Sequence, residues 1–354
     1  MIESILKTYA ISDIVSAEPI ASGLINRTWK ITCEHEQYIL QRINDHVFKK
    51  PSQLAENIKM IDEYLAEHSP GYLFAAPLIN SNKDGIVHVR DEGYFRLFPF
   101  VKGSHTISVV ETPQQAFQAA LQFGKFTQLL AGFDSSRLYI TIPDFHNLTL
   151  RYRQFEDAIA TGNRARIAQS APYINEIRKR TNILDSFERI QKSREVKKRV
   201  THHDTKISNV LFDDNGMGIC VIDLDTVMPG YFISDVGDMM RTYLSPASEE
   251  EKDFTKIDVR EDFFRAIVQG YLSNMKDELT EEERGLILYA GLFLIYMQAI
   301  RFLADYCNND SYYGANYEEH NFVRAGNQLA LLKRLEEKSS KLDEIISAEL
   351  KVYS

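Results

Sequence analysis

Thirteen residues, Val200 to Phe212, restrict the possible folds of this chain more than any other stretch. Thr201-His202-His203-Asp204-Thr205-Lys206-Ile207-Ser208-Asn209 is a run of hydrogen-bonding side chains set between two short apolar segments. Lys198 to Thr201 ends one extended run and Val210-Leu211-Phe212 begins the next. The polar residues therefore occupy a tight loop whose two ends are anchored in a core. Gly216-Met217-Gly218 supplies a hairpin turn, and Ile219 to Ile222 reads as an apolar strand that returns Asp223 to the side of the loop. The loop presents His202-x-Asp204-x-Lys206-x-x-Asn209, and a second carboxylate, Asp223, follows fourteen residues after the amide.

An acid, an amide and a second acid at this spacing suit phosphoryl transfer. Moving a γ-phosphoryl group is mostly a matter of positioning and charge neutralisation. Asp204 is placed to orient an attacking hydroxyl and accept its proton. Lys206 is placed to meet the transferring phosphate with positive charge, and Asn209 and Asp223 to hold the Mg²⁺ that bridges the phosphates of ATP. His202 reads as structural, holding the loop by hydrogen bonds. Two other readings stay open. One is an ordinary polar surface loop; the other is a zinc or transition-metal site built from His202, His203, Asp204 and Asp223. Adjacent histidines on an extended chain point apart, and no third histidine lies near, which weighs against the metal.

The remaining pattern is α+β. From Val15 to about Val101 the signals are mostly strands with one helix. Ile25 to Thr32 and Gln37 to Ile43 read as strands paired around Glu34-His35-Glu36. Pro51 to His68 reads as a helix with Leu54, Ile58, Ile61 and Leu65 on one face. Tyr72 to Asn80, Gly85 to Arg90 and Gly93 to Phe98 are expected to be short strands. Beyond Lys102-Gly103 the chain turns helical, starting at Thr112-Pro113 with threonine as cap. Helices are expected over 148–160, 173–193, 258–275, 280–305 and 320–348. The expectation is thus a small β-rich N-terminal lobe over residues 1–101 for the nucleotide and a helical C-terminal lobe over residues 102–354 for the loop and the acceptor. The apolar run Gly285 to Met297 is too short for a membrane span of roughly 20 residues, follows a capping box at Thr280 to Glu283, and reads as a buried central helix.

The loop and Ile222-Asp223-Leu224-Asp225-Thr226 resemble the aminoglycoside phosphotransferase/choline kinase-like superfamily, small-molecule relatives of protein kinases. The likeness is closer to its N-acetylhexosamine 1-kinase branch through Ser22-Gly23-Leu24-Ile25-Asn26, Tyr38 to Asn44, His203-Asp204-Thr205-Lys206, Ile222 to Gly230, Arg301 to Tyr306 and Glu319-His320-Asn321. The resemblance implies a bilobal protein-kinase-like fold and transfer of the γ-phosphoryl group of ATP to a sugar, on the anomeric hydroxyl of an N-acetylhexosamine. A kinase for another alcohol (choline, an aminoglycoside, homoserine or another sugar) and a catalytically degenerate nucleotide-binding module are the alternatives. At the nucleotide end it implies Ser22 and Gly23 over the phosphates and Phe98 and Phe100 at the hinge. Gln41 stands where the third-strand lysine of protein kinases is expected. Arg42, one residue on, is the substitute cation, with Glu56 as its helix partner. For the acceptor it implies Asp204 with Arg301 and Tyr312; an ion pair of Arg301 with Asp305 or Asp235 is the competing role. Asp235 and Asp238 are expected to brace the loop.

Composition narrows the partners. A net charge of −9 argues against nucleic acid or an anionic membrane. Three well-separated cysteines, Cys33, Cys220 and Cys307, give no disulfide framework. The N-terminus lacks a basic region followed by an apolar run. A cytoplasmic monomer or homodimer acting on nucleotide and a small sugar is the expectation.

Overall fold

A computed structural model describes residues 1–20 and 25–352. The chain divides into two compact units. The first contains Met1–Thr106 together with two later stretches, Leu129–Pro143 and Asn209–Pro229; the second contains Ile107–Gln128, Asp144–Ser208 and Gly230–Ser354.

The first unit is built on a five-stranded antiparallel sheet of β1 (Ile14–Ile20), β2 (Arg27–Cys33), β3 (Gln37–Ile43), β4 (Val87–Val89) and β5 (Gly93–Pro99), in the order β1-β2-β3-β5-β4. The expected Glu34–Glu36 turn joins β2 to β3, with the Cys33 N–H donating to the Glu36 carbonyl at 2.9 Å. Strand alternation sends Ile31, Leu40, Phe95 and Leu97 into a core shared with Ile5 and Leu6 of an N-terminal helix. The Pro51–His68 helix forms as its periodicity predicts and buries Leu54, Ile58, Ile61 and Leu65. Tyr72 to Asn80 does not form the expected strand. Pro77 has no N–H to offer a ladder, and the segment is tied to β5 by a Leu78 N–H bond to the Leu97 carbonyl at 2.7 Å. A separate three-stranded sheet, Ser104–Thr106, Val210–Asp213 and Gly218–Val221, carries the turn at Gly216, whose φ of +75° suits glycine.

The second unit is helical. Its centre is the Ile287–Cys307 helix, which packs on Leu148–Thr161, Phe232–Tyr243 and His320–Glu337. Among the described residues it alone is long and apolar enough to cross a membrane, and it is largely buried inside the protein. The capping box at Thr280 forms, but it starts a four-residue helix, Glu281–Arg284, and the long helix begins afresh at Ile287. The expected helix 173–193 is interrupted at Lys179 and Arg180, and 320–348 at Lys338.

Candidate active site

The chain passes from the second unit to the first inside the polar loop, between Ser208 and Asn209. In the second unit the loop is held by the helix Phe232–Tyr243. The Asp235 carboxylate accepts the backbone N–H groups of His202 at 3.0 Å and His203 at 2.7 Å. One turn along the same helix face, Asp238 accepts the Thr205 N–H at 2.8 Å. The Thr205 hydroxyl donates to the Asp235 carbonyl at 2.8 Å, and the Tyr243 hydroxyl donates to the Thr205 carbonyl at 2.5 Å. A helix buried on all sides thus spends two carboxylates on fixing loop backbone. Arg241 in turn holds Asp238 at 2.9 Å and Glu249 at 3.0 Å.

His203 adopts a left-handed backbone, φ +66°, a strained state for a non-glycine residue of the kind found where a side chain must be aimed. Its ring lies so close to Gly230 that a Cβ there would overlap it. The His202 ring packs edge-on against Phe123 at 5.1 Å, in keeping with its structural reading. Between these anchors Asp204 remains a quarter exposed, with the Lys206 ammonium 3.1 Å from its carboxylate. The loop backbone is fixed while its acid and its lysine are presented together.

Burial pushes Asp235 up to about 7, with Asp238 and Asp204 adding to the shift and the two histidine N–H groups opposing it. Asp238 is raised for the same reason, and Arg241 opposes the rise. His146, stacked on Phe145 at 4.5 Å and 5.4 Å from the His203 ring, is pushed well below the ordinary histidine range. Burial is the first cause, followed by the charges of His203, Arg301, Arg241 and Arg151. Its ring is therefore neutral at neutral pH.

In the first unit the hairpin sets the metal-binding candidates side by side. Val210 pairs with Val221, and the Ile222 N–H donates to the Asn209 carbonyl at 2.9 Å. Asp223 follows directly, exposed and with a left-handed backbone at φ +62°. One amide and one carboxylate fit Mg²⁺, which keeps waters and takes its other ligands from phosphate oxygens. No cluster of three or more His, Cys, Asp or Glu side chains able to hold a metal by themselves occurs among the described residues.

Arg42 does not pair with Glu56. Its Nε donates to the Glu92 carbonyl at 2.5 Å, while Glu56 is exposed on its helix. The reason is alternation: Gln41 and Arg42 point to opposite faces of β3. Gln41 faces Arg96 across the β3–β5 ladder, and its carbonyl accepts from Arg96 Nε at 3.1 Å and Nη2 at 2.8 Å. The cation on the Gln41 face is Arg96, which meets Asp225 at 2.5 Å, both groups being almost wholly buried. Asn26 adds a bond to the other Asp225 oxygen at 2.7 Å. The sequence signal for Arg96 was a lone cation in the apolar strand Tyr94-Phe95-Arg96-Leu97-Phe98. Phe98 lies against the Arg96 guanidinium at 5.1 Å, and Phe100 against the Lys30 ammonium at 4.7 Å. Ser22 and Gly23 lie outside the described residues.

Among the described residues Arg301 does not form the ion pair with Asp305 or Asp235 that competed with its acceptor role. Asp305 accepts the N–H groups of Tyr312 and Tyr313 at 2.7 and 2.9 Å, and Asp235 is committed to the loop. Arg301 instead donates to Gln298 at 3.3 Å and to the Tyr312 hydroxyl at 3.4 Å. Both Arg301 and Tyr312 line a cavity of about 350 Å³ in the second unit. Arg151, also in that wall, and His146 escaped the sequence reading, which registered only a helix start near residue 148.

Residues 16–280 match the family model described as the phosphotransferase enzyme family. The chain belongs to that family. Its fold is shared by solved structures at low identity. A microcompartment-associated aminopropanol kinase superposes with a TM-score of 0.63 at 16% identity, covering 96% of this chain and 97% of the other. Spectinomycin phosphotransferase, solved with ADP and spectinomycin, gives 0.59 at 13%, covering 95% and 98%. Choline kinase from Cryptosporidium parvum Iowa II gives 0.58 at 13%, covering 100% and 99%. The α+β architecture of this phosphotransferase, an antiparallel sheet followed by a mainly helical part, is therefore a kinase-like one.

Proposed function

We propose that this phosphotransferase moves the γ-phosphoryl group of ATP to a hydroxyl of a small molecule, the anomeric hydroxyl of an N-acetylhexosamine. The observation that carries the reading is the braced loop. Two buried carboxylates of one helix fix the backbone around Asp204, and Asp204 is left accessible with Lys206 beside it. In the proposed reaction the bond from γ-phosphorus to the β,γ-bridging oxygen breaks and a bond from γ-phosphorus to the acceptor oxygen forms. Asp204 orients the acceptor hydroxyl and takes its proton; ADP leaves. Lys206 steadies the charge on the transferring group. Asn209 and Asp223 would hold Mg²⁺, which neutralises the phosphate oxygens and orients them. The sugar assignment is supported by the resemblance of the Asp223 to Gly230 and Arg301 to Tyr306 segments, and by Tyr312 and Tyr313 in the wall of the second-unit cavity. Arg151 and Arg301 in that wall weigh against the cationic acceptors of choline and aminoglycoside kinases.

The test is ADP release with Mg-ATP across N-acetylglucosamine, N-acetylgalactosamine, glucose, galactose, choline and an aminoglycoside, followed by phosphorus NMR of any product. Phosphorus coupled to an anomeric proton is expected. Asp204→Ala should lower turnover by about 10³-fold or more with an unchanged thermal melt; near-normal turnover would sink the mechanism. Asp223→Ala should instead abolish Mg-dependent nucleotide binding. Nucleotide binding without turnover of any acceptor would favour the degenerate binding module.

A further inference from the structure

The cavity in the second unit opens to solvent and is lined by the Leu148–Thr161 helix, the last turns of Ile287–Cys307 and the loop through Ser311, Tyr312 and Tyr313. At about 350 Å³ it sits near the lower end of the roughly 300–1,000 Å³ typical of small-molecule sites. Arg151 and Arg301 share its wall, and among the described residues neither guanidinium has a carboxylate oxygen within 4.0 Å. Arg151 donates to the Gln154 side-chain oxygen at 3.0 Å and to the Asp144 and Phe145 carbonyls at 3.1 and 3.4 Å. Its Nε is buried with no hydrogen-bond partner. Arg301 has only the neutral oxygens of Gln298 and Tyr312.

Two of the three acids nearby are otherwise engaged. Asp305 lines the cavity but accepts the Tyr312 and Tyr313 N–H groups and the Asn321 amide at 3.1 Å. Asp144 accepts from the Asn147 amide at 2.8 Å, and Asp157 stands exposed at the rim. Other half-buried arginines of this unit are treated differently. Arg166, Arg180 and Arg241 each hold a carboxylate within 3 Å, and Arg260 spends its donors on backbone carbonyls. Two uncompensated guanidiniums on one cavity wall repel each other, and a bound anion removes that repulsion. Burial, and then the Arg301 charge, push Arg151 below the ordinary guanidinium value, in keeping with that conflict.

We propose that Arg151 and Arg301 form an anion subsite, so that the acceptor carries a carboxylate or phosphate in addition to its reacting hydroxyl. This rests on reading the cavity as the acceptor site, and it narrows the hexosamine class to its acidic members. The planar forks of two arginines match the oxygens of either anion. Tyr312 and Tyr313 supply ring faces for the sugar body.

The experiment has two readouts. Turnover with Mg-ATP is compared for N-acetylglucosamine, its 6-phosphate and its 6-carboxylate, N-acetylglucosaminuronic acid, in wild type, Arg151→Gln and Arg151→Lys. Binding of the same three compounds is measured by calorimetry without nucleotide, at low and high salt. An acidic compound is expected to exceed the neutral one at least tenfold in kcat/KM and in affinity. Arg151→Gln should bring that ratio close to one, and Arg151→Lys should restore part of it. Salt-sensitive binding of an acidic compound, lost in Arg151→Gln, supports the subsite even if nothing turns over, an outcome that would count against the kinase reading alone. Turnover of the neutral hexosamine with no acidic preference overturns the subsite and leaves the kinase reading intact. A preference that survives in a folded Arg151→Gln variant also overturns it, as does an acidic compound that neither binds nor turns over.

Discussion

Arg96 and Asp225 meet at 2.5 Å with each only about 2% exposed, so both have given up water for one another. Gln41 and Asn26 satisfy their remaining donors and acceptors, which is what makes such a buried pair tolerable. Removing one partner is therefore worse than removing both. Arg96→Met should cost about 3–5 kcal/mol by leaving a buried carboxylate unpaired. Arg96→Met with Asp225→Leu should recover part of that loss. Urea unfolding checks both, and a double variant no more stable than the single one would mean that the pair is not the source of the cost. The sequence made the neighbourhood legible but not the residue. It showed a missing lysine at Gln41 and offered Arg42, because nearness along the chain is all that a sequence displays. Which cation shares the Gln41 face depends on the register that pairs Gln41 with Arg96, 55 residues away. The proposed catalytic loop stood out for the opposite reason: Asp204, Lys206 and Asn209 lie within one short segment.

At the scale of elements, the helix Phe232–Tyr243 does two jobs. One face supplies Asp235 and Asp238 to the loop, and Gly237 lets the helix lie directly against Ile287–Cys307, where a Cβ would overlap the Ala290 carbonyl. Gly237→Ala should force the two helices apart and cost about 1–3 kcal/mol. Because the displaced helix carries the loop braces, turnover should fall by more than the folded fraction accounts for. A stability loss with specific activity per folded molecule unchanged would separate the two jobs. Helices with a clear apolar stripe, such as Pro51–His68, were legible to the residue. The breaks at Lys179–Arg180 and Lys338 were not, since Arg180 is tied to Glu336 at 2.9 Å by tertiary structure that local periodicity does not encode. Tyr72 to Asn80 shows the converse, with strand-forming residues and no ladder to join.

For the whole molecule, fold class was legible because a β-rich stretch followed by helices is a coarse pattern that survives such local errors. The response of its stability to pH depends on finer detail, the burial of Asp235 beneath the loop. Its folded pKa of about 7 lies above the roughly 3.9 of an unfolded aspartate. The folded state therefore binds the extra proton. This contribution to stability is fully present below about pH 4 and is lost as the pH rises through about 7. Glu176 works in the other direction. Hydrogen bonds from Arg180 and Lys179 lower it to about 2, so its contribution is present above the usual glutamate range and is lost as pH falls through that value. Between pH 4 and 7 the Asp235 effect stands apart from it. In that window the wild type should lose up to about 1.4 kcal/mol per pH unit relative to Asp235→Asn, which has no proton to lose. Urea unfolding of the two at pH 5, 6, 7 and 8 measures it directly: the wild type should lose stability relative to the variant as pH rises to about 7, and the difference should stay constant above it. Curves parallel throughout would show Asp235 ionised in the folded protein, with the His202 and His203 N–H groups outweighing burial.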